Sequence, residues 1–468
     1  MTMLFFSVWL ASCDSITQNK SESAAFTRLA KWETAFDRSA LLEAREVQVE
    51  HAEKGDLSVI EVKPDEEYQE MDGFGFTLNG GSAMLMMTQL SEKKREDLLE
   101  ELFSRQESAI GINFLRLSIG ASDLDEKVFS YVDLPEGRTD PELEHFSLAY
   151  DTLYLVPILQ SILSINPHLK IMGSPWSPPI WMKTNSSPIG GSLRKEYYAS
   201  YANYFVKYIQ AMEEAGIPIY AITIQNEPEH PGNNPSMSME PEEQAEFVKS
   251  HLGPAFQKAN ISTKILIFDH NCDNPEYPIA VLNDEEAYPF IDGSAFHLYA
   301  GEIEAMSKVK EVHPEKNIYF TEQWTSSRGD FGQDLEWHTR NLIIGASRNW
   351  AKTVLEWNLA ADREQRPHTP DGGCSMCLGA LTIDKDTVVR NVSYYIIAHA
   401  SKFVPAGSTR IASTKSKDLP NVAFKTPEGK NVMVVLNSCE QPKFFELQMG
   451  DEKTMTHVSA KSVATFVW

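Results

Sequence analysis

Two glutamates, each at the end of an apolar run, are the residues of this chain whose positions best suit catalysis. Glu227 ends the run IYAITIQNE, and Glu322 ends the run NIYFTE. Two carboxyl groups cleave a glycosidic bond when one protonates the leaving oxygen and the other attacks the anomeric carbon; in retaining enzymes they lie about 5 to 5.5 Å apart. The pair therefore predicts glycoside hydrolysis with retention of configuration.

The residues around Glu227 fit this role. Pro228 follows it directly, and a residue before proline is pushed out of the α region, which ends the strand and presents the carboxylate beyond it. Asn226 offers an amide to a sugar hydroxyl. The alternative is a glutamate that only ends a strand beside a turn. The second glutamate, placed in the same way, favours catalysis.

Eight β-prone runs alternate with helical patterns along most of the chain. One helical pattern starts after Ser91, a suitable N-cap, and another ends before Gly216, a suitable residue to follow a helix. This alternation predicts an α/β fold, a (β/α)8 barrel with its active site at the carboxyl ends of the strands. Glu227 and Glu322 would end strands four and seven. The runs begin near Met71, Ile112, Lys170, Ile219, Lys264, Gly293, Asn317 and Thr353.

Several motifs, in order, resemble glycoside hydrolase family 30, which contains glucosylceramidases and microbial β-1,6-glucanases. The resemblance runs nearly end to end and implies a barrel with an attached β-sandwich. It also implies that Glu227 is the acid/base and Glu322 the nucleophile, a mechanism that needs no metal or organic cofactor. The motifs are DGFGFTLNGGSA, IGINFLRLSIGASDLD, GSPWSPPIWMKTN, QNEP, FHLY, FTEQ, LEWNLA and HASKFVPAGSTRI.

The resemblance also implies a set of sugar-binding residues. Aromatic faces pack on the apolar faces of a pyranose, while charged and amide groups bind its hydroxyls. Four of these residues have a structural alternative: an internal ion pair for the arginine, a core position for the two tryptophans, and support of neighbouring groups for the histidine. The set comprises Arg116, Asp123, Trp176, Asn226, His297, Tyr299 and Trp357.

A second domain is expected from both ends of the chain. Alternating runs at LSVIEVKPD, NVAFKTPEGKNVMVVLN, FFELQM and KSVATFVW read as strands that cannot extend a parallel barrel. As the resemblance implies, they would form an antiparallel β-sandwich from N- and C-terminal segments. We therefore divide the chain into 29–70, which joins the sandwich, a catalytic barrel over 71–403, and C-terminal sandwich strands over 404–468. A structural brace is the favoured role of the sandwich, over carbohydrate binding.

The substrate is open at this stage. After Glu227 the chain carries EHPGNNPSM, and after Glu322 it carries Gln323 and Trp324, which depart from the glucosylceramidase pattern where aglycone specificity would be set. A β-1,6-glucanase or β-glucosidase acting on glycans is therefore favoured over a glucosylceramidase. A second alternative is an inactive surface glycan-binding lipoprotein, which would be free to lose one of the glutamates.

Charge and the first residues bear on partners and location. The net charge of −24 disfavours nucleic acid and anionic membrane surfaces as partners. The apolar stretch MLFFSVWLAS leads into LASC, which resembles a lipobox at Cys13. We expect residues 1–28 to be a signal, lipobox and tether of a periplasmic or outer-membrane lipoprotein, attached to the membrane only through a lipid on Cys13. The alternative is an ordinary cleaved signal peptide.

The remaining cysteines include a CxxC motif, Cys374 and Cys377, in a glycine-rich loop after strand eight. In an oxidising compartment a local disulfide is the leading interpretation. Two thiols do not make a zinc site, His368 is a weak third ligand, and a thioredoxin-like context is missing. Cys272 and Cys439 are expected to be free and buried.

Overall fold

The computed structural model describes Phe26 and residues 29–47 and 58–468. The predicted signal, lipobox and tether, with Cys13, fall almost entirely outside the described residues. None of the helices in that described part combines the length and apolar character that a membrane span requires.

Eight parallel strands close into a barrel, which confirms the predicted fold. Each predicted run supplies one strand. The fourth strand is short: only Ala221–Thr223 pairs with its neighbours before the chain turns toward Glu227. The barrel strands, numbered one to eight below, are Gly73–Thr77, Phe114–Ser118, Lys170–Ser174, Ala221–Thr223, Lys264–Cys272, Ile291–Gly301, Asn317–Glu322 and Ala351–Asn358.

Helices surround the barrel. The helix after Ser91 begins at Glu92, and Gly216, with φ of +79°, follows the helix Tyr198–Glu214, as the sequence predicted. The α-helices are Gly80–Gln89, Glu92–Phe103, Leu155–Ile165, Tyr198–Glu214, Pro241–Phe247, Gly253–Lys258, Glu276–Leu282, Ala305–Val312, Phe331–His338 and Val392–Ser401. The π-helical segments Val248–Leu252 and Thr339–Ala346 extend two of them.

The barrel interior is filled by side chains rather than left open. One apolar layer takes a single side chain from each of strands two to eight, so the lower barrel is a packed core. This layer consists of Phe114, Met172, Ala221, Leu266, Ala295, Tyr319 and Leu355. It forms the floor beneath the site described below.

The sandwich is built from both ends of the described chain. Its strands follow the order Glu43–Arg45, Ala30–Ala35, Ser462–Val467, Asn431–Asn437, Asn421–Lys425, Thr409–Ser413, Ser58–Glu70, Lys443–Met449 and Glu452–Val458. All neighbours are antiparallel except one pair: Ser58–Glu70 runs parallel to Lys443–Met449. That strand is 13 residues long, so one part pairs with Lys443–Met449 and another with Thr409–Ser413.

One face of the sandwich packs on the barrel. Phe424 of the sandwich meets Phe74 of the first barrel strand edge to face, with ring centroids 6.0 Å apart. His399, in the last barrel helix, contacts the hydroxyls of Thr34 and Thr465, both at 2.8 Å, on two sandwich strands. The two domains therefore share one continuous hydrophobic core.

Candidate active site

A ring of polar and aromatic side chains lies one layer above the apolar floor. Side chains in a strand face the same side at every second residue, so the positions two beyond the floor residues also point inward. These positions hold Arg116, Ser174, Thr223, His297, Thr321 and Trp357. The barrel thus changes from an apolar core to a polar site within two residues along its strands.

Glu227 lies just beyond strand four and is 7% exposed. Its backbone has φ of +50°, in the left-handed region, which is costly for a residue with a side chain and is typical of functional sites. Its N–H donates to the carbonyl of Asp269 at 3.0 Å, which holds this conformation. The strand itself ends earlier, at Thr223, so the prediction that Glu227 ends strand four is corrected: a short loop carries Glu227 and Pro228 beyond the strand.

Glu322, at the end of strand seven, is held by two donors. Arg116 contacts its Oε2 through Nη1, and the Tyr299 hydroxyl donates to its Oε1 at 3.0 Å. Burial raises the pKa of Glu322, and the charges of His297 and Arg116 oppose that shift. Arg116 is fully buried and forms an ion pair with Glu322, the predicted nucleophile.

Arg116 also fixes two other groups. Its Nη2 donates to Asn226 Oδ1 at 2.7 Å and to Asp269 Oδ2 at 2.8 Å. Its guanidinium carbon lies 4.8 Å from the ring centre of Trp176. This one side chain therefore connects the predicted nucleophile, the amide beside Glu227 and the aromatic wall.

His297 lies between the two predicted catalytic carboxylates. Its Nδ1 is 3.3 Å from Glu227 Oε1 and 3.7 Å from Glu322 Oε1, and its Nε2 is 3.1 Å from Asp269 Oδ1. Burial lowers the pKa of His297, but the surrounding carboxylates raise it to about 9. Contact with His297 in turn lowers the pKa of Glu227 against the effect of burial. One nitrogen of His297 therefore lies within 4 Å of an oxygen of each carboxylate, which brings both to the same part of the site.

Asp269 is the main site residue that sequence reasoning missed. It accepts hydrogen bonds from Arg116 and His297 and from the hydroxyls of Ser174, Thr223 and Thr321. Burial would raise the pKa of Asp269, but Arg116 and His297 hold it well below its usual range. Its sequence signal was the apolar run KILIFD, which ends in a carboxylate as the runs before Glu227 and Glu322 do.

A bulge in strand five explains why the two-residue spacing does not find Asp269. By that spacing Phe268 would point inward. Phe268 and Asp269 instead have φ of +72° and +64°, and the pairing with strand six shifts between Phe268 and His270. Phe268 therefore packs outside the barrel against Tyr277, and the carboxylate of Asp269 takes the inward position.

The two glutamates open into a cavity of about 360 Å³. Four of the predicted sugar-binding residues line it: Asp123, Trp176, Tyr299 and Trp357. The two tryptophans stack with ring centres 5.1 Å apart and are almost fully buried, so they are both core residues and part of the wall. Burial, together with the charges of Glu322 and Glu227, raises the pKa of Asp123 to about 8.

The remaining wall includes residues that were not predicted as site residues. Asn233, in the loop after Glu227, donates from its amide to Glu227 Oε2 at 2.9 Å. His230, Asn271 and Trp324 also line the cavity. Motif matching could not find His230, Asn233 and Trp324, because the stretches after the two glutamates differ from the glucosylceramidase pattern.

The structure joins Cys374 and Cys377 in a disulfide at the cavity wall. Cys272 is free and buried as expected, whereas the free Cys439 is only partly buried because it lies just after a sandwich strand, Asn431–Asn437. The ring of His368 contacts the carbonyl of Thr369.

Glu227, His270 and His297 form a group whose ligand atoms lie within 4.8 Å of one another. Such spacing could accommodate a metal ion. Both nitrogens of His297 already contact carboxylates, however, and hydrolysis by two carboxylates requires no metal. The arrangement fits acid and nucleophile chemistry without it.

A larger cavity, about 790 Å³, lies at the edge of the sandwich. Its buried charges, Lys31 and Glu33, pair with each other at 3.1 Å, and Glu33 also accepts from Ser459. The buried carboxylate of this cavity is thus already paired with a lysine. We therefore place the chemistry in the barrel.

Family models match both domains. The model of the glycosyl hydrolase family 30 TIM-barrel domain matches residues 71–404, and that of the glycosyl hydrolase family 30 beta sandwich domain matches residues 407–466. The chain belongs to glycosyl hydrolase family 30. It is therefore a glycoside hydrolase, and the retaining chemistry suggested by its two glutamates agrees with this family.

Two kinds of family 30 relative are similar to this chain. It is 33% identical over 428 residues to an endo-1,6-β-D-glucanase of Aspergillus fumigatus, a match that covers 85% of each chain. It is 28% identical over 442 residues to the lysosomal acid glucosylceramidase of Mus musculus, covering 88% of this chain and 83% of that one. A solved structure of an endo-β1,6-glucanase matches with a TM-score of 0.87 and 34% identity, covering 94% of this chain and 99% of that chain.

Proposed function

We propose that this family 30 enzyme is a retaining β-1,6-glucanase. The observation that carries the proposal is the pair Glu227 and Glu322, both within 4 Å of His297 Nδ1, in a chain 33% identical to an endo-1,6-β-D-glucanase over 85% of both lengths. The solved endo-β1,6-glucanase structure, at a TM-score of 0.87, supports the same substrate class.

In the first step the Glu322 carboxylate attacks the anomeric carbon, and the bond to the O6 oxygen of the next glucose breaks. Glu227 gives its proton to that oxygen, so a glucan with a free hydroxyl leaves. Arg116 and the Tyr299 hydroxyl hold the attacking carboxylate in position. The product on the enzyme is a glucosyl ester of Glu322.

In the second step Glu227, now ionised, takes a proton from water as the water attacks the same carbon. The ester bond breaks, Glu322 leaves as a carboxylate, and the sugar keeps its original configuration. His297 suits this second step, because its Nδ1 contacts Glu227 and it can stabilise the ionised form of that residue. Asp269 holds the opposite nitrogen of the ring.

The innermost sugar would be held by Asp123, Trp176, Asn226 and Trp357. The tryptophan pair offers an aromatic face, while a carboxyl and an amide group can bind hydroxyls. Asn226 already accepts from Arg116, which orients its amide. This division of labour matches the roles that the family resemblance implies.

The remaining lining of the cavity favours a glucan over a lipid. It includes His230, Asn233 and Asn271, which offer hydrogen-bonding groups for the hydroxyls of a second sugar, beside the aromatic Trp324. A ceramide would require mainly apolar contacts. Glucosylceramide hydrolysis is nonetheless a second candidate, supported by the 28% identity to a glucosylceramidase.

Product analysis tests the proposal. The purified enzyme is incubated with β-1,6-glucan and, separately, with glucosylceramide in detergent, with the Glu322→Gln variant as the control for contaminating activity. Glucose or short β-1,6-linked oligosaccharides from the glucan support it, and their lengths separate internal from terminal cleavage. Glucose from the lipid alone supports the second candidate. No product from either, with wild-type folding intact, would favour a glycan-binding protein.

We also propose that the enzyme is an exported lipoprotein attached through Cys13. The sequence LASC supports this, as does the Cys374–Cys377 disulfide, since disulfides persist mainly in oxidising compartments. Metabolic labelling with a radioactive fatty acid tests it. Wild-type protein should be labelled and Cys13→Ser should not; an unlabelled wild type would contradict the anchor.

A further inference from the structure

The Cys374–Cys377 disulfide forms part of the wall of the active-site cavity. Both cysteines line the space into which Glu227 and Glu322 open. Cys377 is almost fully buried in a small apolar cluster, and Cys374 packs against it. The other buried members of that cluster are Leu124, Trp176 and Trp357. The disulfide is thus in the same packing unit as the tryptophan pair.

The loop that carries the disulfide also holds Asp123. The backbone N–H of Cys374 donates to Asp123 Oδ2 at 3.3 Å, and the backbone N–H of Thr369 donates to the Asp123 carbonyl at 2.9 Å. Asp123 is only 6% exposed, so water reaches little of its carboxyl group. The loop therefore fixes both the backbone and the carboxyl group of a predicted sugar-binding residue.

The same loop reaches the walls that follow strands four and seven. The Thr369 hydroxyl donates to the carbonyl of Asn234, whose amide donates to the carbonyl of Pro370 at 2.7 Å. Beyond Glu322, the strand Thr325–Ser326 pairs with Cys377–Leu378. The disulfide loop thus connects three sides of the cavity.

Close approach at Gly373 makes this arrangement depend on the path of the loop. A Cβ at that position would lie 2.3 Å from the Thr369 carbonyl oxygen and 2.8 Å from the Asp123 carbonyl oxygen. Contacts this short leave no room for a side chain. The backbone between Thr369 and Cys374 therefore has little freedom while Asp123 stays in place.

We propose that the Cys374–Cys377 disulfide is a positioning element for the innermost sugar site. It keeps the Cys374 N–H on the Asp123 carboxyl group and Cys377 against the tryptophan pair, so that opening it weakens binding of the glucose unit. The bridge spans a sequence separation of 3, and short loops restrain the unfolded chain least, so we expect its main effect to be local. This inference rests on the proposed function for the identity of the sugar.

Binding of a glucose-configured iminosugar, measured by calorimetry, tests the proposal. We expect the double variant Cys374→Ser/Cys377→Ser to bind it about ten-fold more weakly, the effect of losing roughly one hydrogen bond. On β-1,6-glucan the KM should rise more than kcat falls. The matched control is Cys439→Ser, a thiol in the sandwich, which should bind like the wild type.

An Asp123→Ala background separates a local role from general loosening. If the disulfide acts partly through Asp123, opening it in this background weakens iminosugar binding less than opening it in the wild type does. Should the double variant fail to fold, wild-type enzyme reduced with a phosphine below its unfolding temperature replaces it. Equal affinity of the oxidised and open forms, or an undiminished effect in the Asp123→Ala background, overturns the proposal. Because this binding needs no turnover, failure to hydrolyse β-1,6-glucan would refute the proposed substrate separately.

Discussion

Individual carboxylates decide the chemistry, and the two glutamates should fail in different ways. Glu322→Gln removes the nucleophile and should abolish turnover of every substrate with the fold intact. Glu227→Ala removes the proton donor and should slow glucan hydrolysis about 10² to 10⁴-fold, but slow an aryl glucoside with an activated leaving group much less. Steady-state rates on both substrates check this. Substantial activity of Glu322→Gln would refute its assignment as nucleophile.

Asp269 should be as important as the residues that touch the sugar, although it acts through Arg116 and His297. Asp269→Asn removes the negative charge that Arg116 and His297 both contact. Breaking a buried ion pair costs about 3–5 kcal/mol. If this loss falls on the transition state, kcat/KM should drop roughly 10² to 10³-fold or more. The loss should also shift the alkaline side of the pH–rate profile to lower pH, because the raised pKa of His297 depends partly on Asp269.

Asp292→Asn is the matched control for that measurement. Asp292 also contacts a cation, Lys264, but it lies with Tyr319 at the opposite end of the barrel. Its replacement should leave the pH–rate profile unchanged. A wild-type profile in Asp269→Asn would show that Asp269 is only a structural residue.

At this scale the sequence was informative wherever a motif or a strand end marked the residue. Glu227 and Glu322 followed from apolar runs, and the family resemblance supplied Arg116 and Trp176. Asp269 escaped because a bulge, invisible in the sequence pattern, reverses the inward and outward positions at Phe268. Loop contacts such as that of Asn233 depend on how the chain returns after a strand, which no periodicity encodes.

At the scale of the elements, closure of the barrel depends on Gly75 in its first strand, which packs directly on the second strand. A Cβ at Gly75 would lie 1.8 Å from the carbonyl oxygen of Phe114 on the neighbouring strand. Gly75→Ala should therefore lower the free energy of unfolding by about 3 kcal/mol, since backbone must move to admit the methyl group. Chemical denaturation measures this change.

Gly137→Ala provides the comparison, because Gly137 lies in an exposed turn with φ of +77° and no atom near its Cβ position. Only the left-handed backbone opposes a side chain there, which costs roughly 1–2 kcal/mol. If the two variants lost the same free energy of unfolding, the close contact between the strands at Gly75 would not be the cause of the destabilisation.

All eight barrel strands could be predicted from the sequence because each is a distinct apolar run with its own turn signals. The pairing of Ser58–Glu70 could not. One half of this strand pairs in parallel with Lys443–Met449 and the other pairs antiparallel with Thr409–Ser413. Both partners come after the barrel in the chain, so the folded barrel sets which partner each half meets. Alternation predicts a strand but not its partner.

For the whole molecule, His399 should make stability depend on pH. Burial lowers the pKa of His399 to about 3, from 6.5 in the unfolded chain, so below pH 6.5 the unfolded state binds a proton that the folded state does not. Unfolding free energy should therefore fall as pH drops from 6.5 towards 3, by about 1.4 kcal/mol per pH unit for one such group. Above pH 6.5 this contribution is constant.

Denaturation of the wild type and of His399→Gln across pH 3 to 7 tests this link between barrel and sandwich. The variant should be less stable at pH 7, where the contacts to Thr34 and Thr465 are lost, and its stability should change less steeply with pH. Parallel curves for the two proteins would show that another group is responsible.

The pairing of Ala30–Ala35 with Ser462–Val467 has a consequence for biosynthesis. Ala30–Ala35 is synthesised before the barrel and its partner Ser462–Val467 after it, because Thr34 and Val463 are partners in the same ladder. The sandwich therefore cannot be completed until the whole barrel has been translated. Until then the unpaired edge of Ala30–Ala35 is open to proteases and to pairing with other chains.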